Sequence, residues 1–225
     1  YAESHGIGEN VLRRWGWTET VHKQRRALSF TTSVGTRYRF IDGDSSKPTY
    51  ISQKGYQACW YGFTDTLFKL LGDGAPLVLC NGEISTIAGQ EYGLASVCVT
   101  SGQTASISDT LLHELKAVFH QMGIKPNIVI ALDYDKTGRH AARGLQAQLT
   151  REGFNARAVD LQLGDKGDLA DFVTLYGDSA SERLMQCPAL EPDPAITRDA
   201  PFRILGRDEM YHLPPVEWVI PERVP

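Results

Sequence analysis

The chain lacks the cysteine spacing of a metal ribbon, any apolar run that could span a membrane, and the glycine-lysine loop that cradles nucleotide phosphates. Its four cysteines, Cys59, Cys80, Cys98 and Cys187, stand far apart with no CxxC. That excludes a zinc ribbon and a disulfide framework as the basis of the fold and leaves a reducing cytoplasm as the expected compartment. Apolar runs such as 77–80 and 128–132 stop after four or five residues, far short of the roughly 20 that a helical span needs. The polar opening YAESHG does not read as a secretory leader, and no membrane partner is expected. GDG at 72–74 has neither the lysine nor the helix context of a Walker loop. The six histidines show no ligand spacing; His113 and His120, seven apart, read as surface or packed residues. Internal repeats and low-complexity tracts are absent.

What is present is an ordinary globular composition, with 225 residues of which 42% are hydrophobic, enough for one large or two modest domains. The net charge of −4 argues against a generally sticky nucleic-acid binder, but it is unevenly spread. Residues 1–75 hold 10 Lys+Arg against 7 Asp+Glu, a balance of +3, and residues 76–225 hold 13 against 20, a balance of −7. A basic part that holds phosphates and an acidic part that holds metal ions would suit an enzyme acting on nucleotides; a chance fluctuation of surface charge would look the same.

Residues 8–17 pattern as a short helix ending near Gly16, and 26–52 as strands broken by Gly, Asp, Ser and Pro turns. From Pro76 the pattern alternates: strand LVLC, helix ISTIAGQEYG, strand ASVCVTSG, helix 108–122, strand IVIAL, helix 138–152, strand NARAVDL and helix 168–177. Short apolar strands separated by helices predict an α/β fold, a parallel sheet with helices on both faces. After about residue 183 the chain turns Pro-rich and reads as a linker.

In open parallel sheets ligands gather beyond the carboxyl ends of the strands. Those ends here carry CNGE at 80–83, TSGQ at 100–103 and DYDKTG at 133–138, with GDKGD at 164–168 after the last strand. Asp133 and Asp135 occupy alternate positions past a buried strand, so an extended backbone would lean both toward one cation. An Asp-x-Asp pair supplies the hard oxygen charge that Mg²⁺ takes without enclosing it. Lys136 and Arg139 follow at a helix start, whose free N–H groups favour phosphate. Asp165, Asp168 and Asp171 form a further acidic cluster. Acidic turns at one sheet edge suggest two metals; the competing reading makes Asp168 a helix N-cap and Asp171 a solvated helix residue.

These residues resemble the Toprim catalytic core of bacterial-type and phage primases, over about residues 1–180. The family's strand ending in Glu-Gly looks like Asn81-Gly82 here, its Asp-x-Asp with a following glycine like Asp133-Tyr134-Asp135 with Gly138, and its further acid like Asp168. VCVTSG, ending at Gly102, is similar to the second strand and its turn, and KPTYIS, KG and WYGF (47–63) resemble the nucleotide-facing subdomain. The resemblance implies Toprim architecture preceded by a small mixed subdomain: 1–75 facing nucleotide and template, 76–182 catalytic, and 183–225 a linker.

It also implies an enzyme, a DNA primase making short RNA primers on single-stranded DNA from ribonucleoside triphosphates. Asp133, Asp135, Asp168 and Glu83 would hold two Mg²⁺ or Mn²⁺ ions. Asn81 stands where the family has a glutamate, an amide that can neither take a proton nor neutralise a cation, so Glu83 is the expected substitute; it could equally be a first-turn acid favoured by the helix dipole. Arg37, Arg39, Lys54, Lys136 and Arg139, with the Gly82 and Gly102 turns, would hold phosphates. Tyr38, Phe40 and Trp60 are candidates for stacking on bases, with the core as the alternative for Phe40 and Trp60. LPPVEWVIPERVP at the end is similar to the lead-in of RecA-like helicase domains in phage and plasmid primase-helicases. This implies a replicative helicase partner, in cis or in trans, and a chain that is a piece of a longer protein. A Toprim nuclease, or a weakened module that only binds nucleic acid, is the alternative.

Overall fold

Why the chain builds two sheets follows from its two kinds of strand. In the computed structural model, which describes residues 6–43, 46, 48–100, 102, 104–133, 135–164 and 167–190, helix α1 (Glu9–Arg14) ends before Gly16, whose φ of 74° suits glycine. Then come β1 (Thr18–His22), β2 (Arg25–Thr32), β3 (Gly35–Phe40) and β4 (Tyr50–Ser52), an antiparallel sheet in the order β1-β2-β3-β4. The sequence pattern missed β1 because its hairpin turns through Lys23 and Gln24, at φ 50° and 63°, rather than through the Gly or Asn that usually announces such a turn.

The second sheet comprises β5 (Trp60–Tyr61), β6 (Leu77–Cys80), β7 (Ala95–Val99), β8 (Ile128–Ala131) and β9 (Ala156–Ala158), ordered β5-β7-β6-β8-β9. Apart from β5, which joins β7 antiparallel at the edge, its neighbours are parallel. Between and after its strands run α2 (Asp65–Gly72), α3 (Gly82–Glu91), α4 (Asp109–Met122), α5 (Lys136–Arg151), α6 (Leu169–Tyr176) and α7 (Ala180–Gln186). This is the expected α/β arrangement with helices on both faces.

Strand alternation sorts the core into two layers. Leu77, Leu79, Ile128 and Ile130 pack with Leu67, Leu115 and Leu149 of α2, α4 and α5. Val78, Cys80, Val129 and Ala131 face the other way, onto Ile84, Ile87 and Phe172 of α3 and α6. The second layer also takes in Trp17 and Phe30, so the antiparallel sheet shares a core with the parallel one. The four cysteines are free, three of them buried, and burial pushes the Cys80 thiol up to about 12.

The linker expected from residue 183 needs correction. Ala180 and Leu184 of α7 are buried, Val159 bridges Ala189, and Leu190 N–H donates to the Ala158 carbonyl at 2.9 Å. The chain through Leu190 therefore belongs to the same compact unit. The Pro-rich segment from 191 and the helicase-like lead-in lie outside the described residues.

Trp17 pins α1 and the first sheet to β5: it is 1% exposed, stacks on Phe30 at 4.2 Å and donates its indole N–H to the Tyr61 hydroxyl at 2.9 Å. Trp17→Ala should cost about 3–5 kcal/mol through the cavity and the orphaned hydroxyl. A urea unfolding curve with a lower midpoint at unchanged slope checks this.

Candidate active site at the switch point of the parallel sheet

From β6 the chain moves outward to β7, then returns past β6 to β8 on its other side. The carboxyl ends of β6 and β8 thus flank the point where the strand order reverses, the place where open α/β sheets open a crevice for ligands. Asn81 follows β6 and Asp133 follows β8, and the Asn81 amide Nδ2 donates to Asp133 Oδ2 at 2.7 Å. Asn81 is the N-cap of α3, yet its side chain makes no capping bond. A residue type well suited to capping instead holds a carboxylate in the turn after the neighbouring strand.

The residues that follow Asn81 take other partners. Gly82, at φ 80°, takes a conformation few side chains accept at the strand-to-helix turn; Gly102, at φ 85°, does the same past β7. Glu83 is 2% exposed, and its Oε1 lies 2.9 Å from Arg37 Nη1 of β3. The pair is close but off the hydrogen-bonding line, so both atoms lack a hydrogen-bond partner and charge attraction alone joins them. Ser85, 1% exposed, donates its hydroxyl to Asp168 Oδ2 at 3.0 Å. The sequence reading missed Ser85; the signal was its position four residues after Asn81, one helical turn further along the same face.

The candidate acids divide. Asp133 is half-buried, and burial, the largest influence, pushes its carboxyl up to about 6. The Asn81 hydrogen bond pulls it down, and the charges of Asp168, Asp135 and Asp171 push it up. Its Oδ1 is buried without a hydrogen-bond partner. Asp135 caps α5, accepting from Gly138 N–H at 2.7 Å. Asp168 caps α6 in a reciprocal box with Asp171, so both acids are helix caps whatever else they do. Among the described residues no three His, Cys, Asp or Glu side chains are gathered as a metal cluster; Tyr134 and Asp165 lie outside them. The residues present nonetheless fit one hard cation at Asp133, where an orphaned carboxylate oxygen sits in the field of three further acids.

The candidate cations are also redistributed. Arg37 is buried against Glu83, with its guanidinium over the rings of Tyr50 and Tyr56 at 4.9 and 5.7 Å. Arg39 is buried with its guanidinium 4.7 Å from the Tyr50 ring and donates to the Tyr50 hydroxyl. Lys54 is exposed beyond β4, Lys136 is exposed in the first turn of α5, and Arg139 is half-buried one turn further on. Of the aromatic candidates, Phe40 and Trp60 are core residues: Arg25 sits 3.8 Å over Phe40, and the Trp60 indole donates to the Leu111 carbonyl at 2.9 Å. Tyr38 stacks on His22 at 3.9 Å.

This strand order with an Asp-bearing turn at its switch point agrees with what comparison finds. Residues 78–173 match the family described as Toprim-like. They are a Toprim-like domain. No curated protein sequence matches the chain, but solved structures do. The zinc-binding and RNA polymerase domains of Aquifex aeolicus primase superpose with a TM-score of 0.60 at 14% identity, covering 84% of this chain and 55% of that one. The RNA polymerase domain of Mycobacterium tuberculosis primase DnaG gives 0.57 at 17%, covering 83% and 74%. A DnaG primase catalytic domain bound to single-stranded DNA gives 0.54 at 20%, covering 84% and 71%. The chain therefore has the fold of primase catalytic domains, the Toprim-like domain together with the preceding sheet, and spans about half the length of the Aquifex aeolicus chain.

Two outcomes follow from the geometry. Arg37→Met leaves the Glu83 carboxylate buried without its counter-charge and should cost about 3–5 kcal/mol, measurable by urea unfolding, with Glu83→Gln in the same chain recovering much of the loss. Asp133 binds its proton more tightly folded than unfolded, where its value is 3.8, so its contribution is full below about pH 4 and lost as pH rises through about 6. In metal-free buffer the melting temperature of Asp133→Asn should gain on the parent between pH 4 and 7; parallel curves would show that Asp133 titrates normally.

Proposed function

We propose that this chain is the catalytic core of a DNA primase, joining ribonucleotides into short primers on a single-stranded DNA template. The observation that carries the reading is the carboxylate of Asp133, held by Asn81 at the sheet's switch point with one buried oxygen left unpaired, inside a Toprim-like domain whose fold extends into the preceding sheet. One relative of this fold was solved with single-stranded DNA bound, which supports that template for this chain.

Asp133, flanked by Asp135 and Asp168, would hold divalent metal, Mg²⁺ or Mn²⁺, in one or two ions. Such ions, when bound, stabilise the attacking and leaving oxygens of phosphoryl transfer. The chain's own share is positional. Asn81 fixes the plane of Asp133, the α5 start presents Lys136 and Arg139 to phosphate, and Gly82 and Gly102 let backbone approach the crevice. With Arg37 committed to Glu83, the exposed Lys54 and Lys136 are the better candidates for triphosphate or template contact. A helicase domain, in cis or in trans, and the cytoplasm are the corresponding partner and compartment. Among the described residues no helix is long and apolar enough to cross a membrane.

A second reading has its own support. Position 81 is an amide and Glu83 faces Arg37, so no carboxylate from the end of β6 faces Asp133; a module that binds nucleic acid without catalysis would tolerate this. Incorporation of labelled ribonucleotides on mixed-sequence single-stranded DNA with Mg²⁺ or Mn²⁺ separates the two. A primase yields short products that fall about 100-fold or more in Asp133→Asn. Template binding that persists in EDTA, with no product from the parent chain, identifies the binding module.

A further inference from the structure

Helix α3 holds two of the site's acids, not one. Asn81, at its N-cap, donates to Asp133 Oδ2, and Ser85, one turn later and about 6 Å further along the axis, donates to Asp168 Oδ2. The two carboxylates come from separate parts of the chain, the turn after β8 and the start of α6, and the same helix sets both. Asp168 is gripped from two sides: Oδ1 accepts from Asp171 N–H at 3.0 Å within α6, and Oδ2 accepts from Ser85 across the interface at 3.0 Å. The carboxylate is one rigid plane, so the α6 cap at Oδ1 and the Ser85 bond at Oδ2 restrain the same orientation from two elements, and Ser85 is the restraint that comes from outside α6.

We infer that Ser85 is a positioning residue for the divalent-cation site, orienting Asp168 toward Asp133 through its hydroxyl; this rests on the metal-dependent reading proposed above. Three features support the assignment. Ser85 is 1% exposed, so no bulk water competes for its hydroxyl or replaces it. Both α3 donors are neutral, so they fix the carboxylates without cancelling the negative charge that a cation requires; a lysine or arginine at either position would neutralise it. Finally, Asn81 and Ser85 stand four residues apart on one helix, so the carboxylates they hold, Asp133 and Asp168, are both tied to the first turns of α3 at the same edge of the sheet. Partners of this kind, standing behind the ligands, typically carry about 10–100-fold in metal affinity.

The test is Mn²⁺ binding to the full chain, followed by the loss of the free-ion electron paramagnetic resonance signal and read without nucleotide, template or turnover. Ser85→Ala should weaken Mn²⁺ about 10-fold or more, and Ser85→Thr, which keeps the hydroxyl, should retain most of the affinity. In an Asp168→Asn background, which keeps the α6 cap, Ser85→Ala should add little, because its route to the metal is already cut. Circular dichroism shows whether each variant is folded; if Ser85→Ala is not, the threonine variant and the Asp168→Asn parent carry the comparison through Ser85→Gly. Parent-like Mn²⁺ binding by a folded variant lacking the hydroxyl, or an undiminished loss in the Asp168→Asn background, overturns the assignment and leaves the metal reading standing. A parent chain that binds no Mn²⁺ at millimolar concentration overturns both.

Discussion

The first two turns of α3 are the constraint on which the site depends. Within five residues Asn81, Glu83 and Ser85 reach to Asp133, Arg37 and Asp168: the neighbouring strand's turn, the antiparallel sheet and the start of α6. A strand-to-helix corner at a switch point is well placed for this, since side chains leaving its first turn diverge while the backbone stays anchored in the sheet. The buried faces do the anchoring. Ile84, Ile87 and Ala88 fill the layer beneath, each under 5% exposed, so the polar side chains that stay above have little freedom to move.

Energetics assign these three contacts different work. The Glu83–Arg37 pair is almost fully buried, and such pairs contribute little net stability because desolvation offsets attraction. What the pair supplies is registration: an uncompensated charge would be costly, so α3 and β3 have one favourable alignment. The Asn81 and Ser85 bonds are neutral donors to carboxylates, which orient without discharging. Arg37 and Arg39, placed on alternate positions of β3, both pack against the Tyr50 ring, so two of the cations assigned to phosphate are spent inside the structure. Charge bookkeeping along the sequence therefore overstated the phosphate-facing surface.

The fold was legible in the sequence to within a few residues from Leu77 onward, because fully buried parallel strands are short apolar runs and their helices carry strong caps: Ser108 for α4, Asp135 for α5 and Asp168 for α6. Legibility failed where the local signal was absent. β1 lay behind a hairpin turn with no glycine, and α7 sat next to proline-rich sequence, so its buried Ala180 and Leu184 were not weighted. For the acids, sequence could say that Asp168 was either a cap or a ligand; the structure makes it a cap whose second oxygen accepts from Ser85.

By itself the sequence determined the alternation of strands and helices, the side of the sheet where polar turns collect, and the identity of the acids there, since each depends on local periodicity and on residue chemistry. Only the tertiary structure decided which partners those residues take. Asn81 meets Asp133 across 52 residues, Ser85 meets Asp168 across 83, and Glu83 is claimed by Arg37 from the other sheet. Such pairings depend on strand order and on the angle at which a helix leaves its strand, and these are set by how two hydrophobic layers close around the sheet, a property of the whole core that no local pattern encodes.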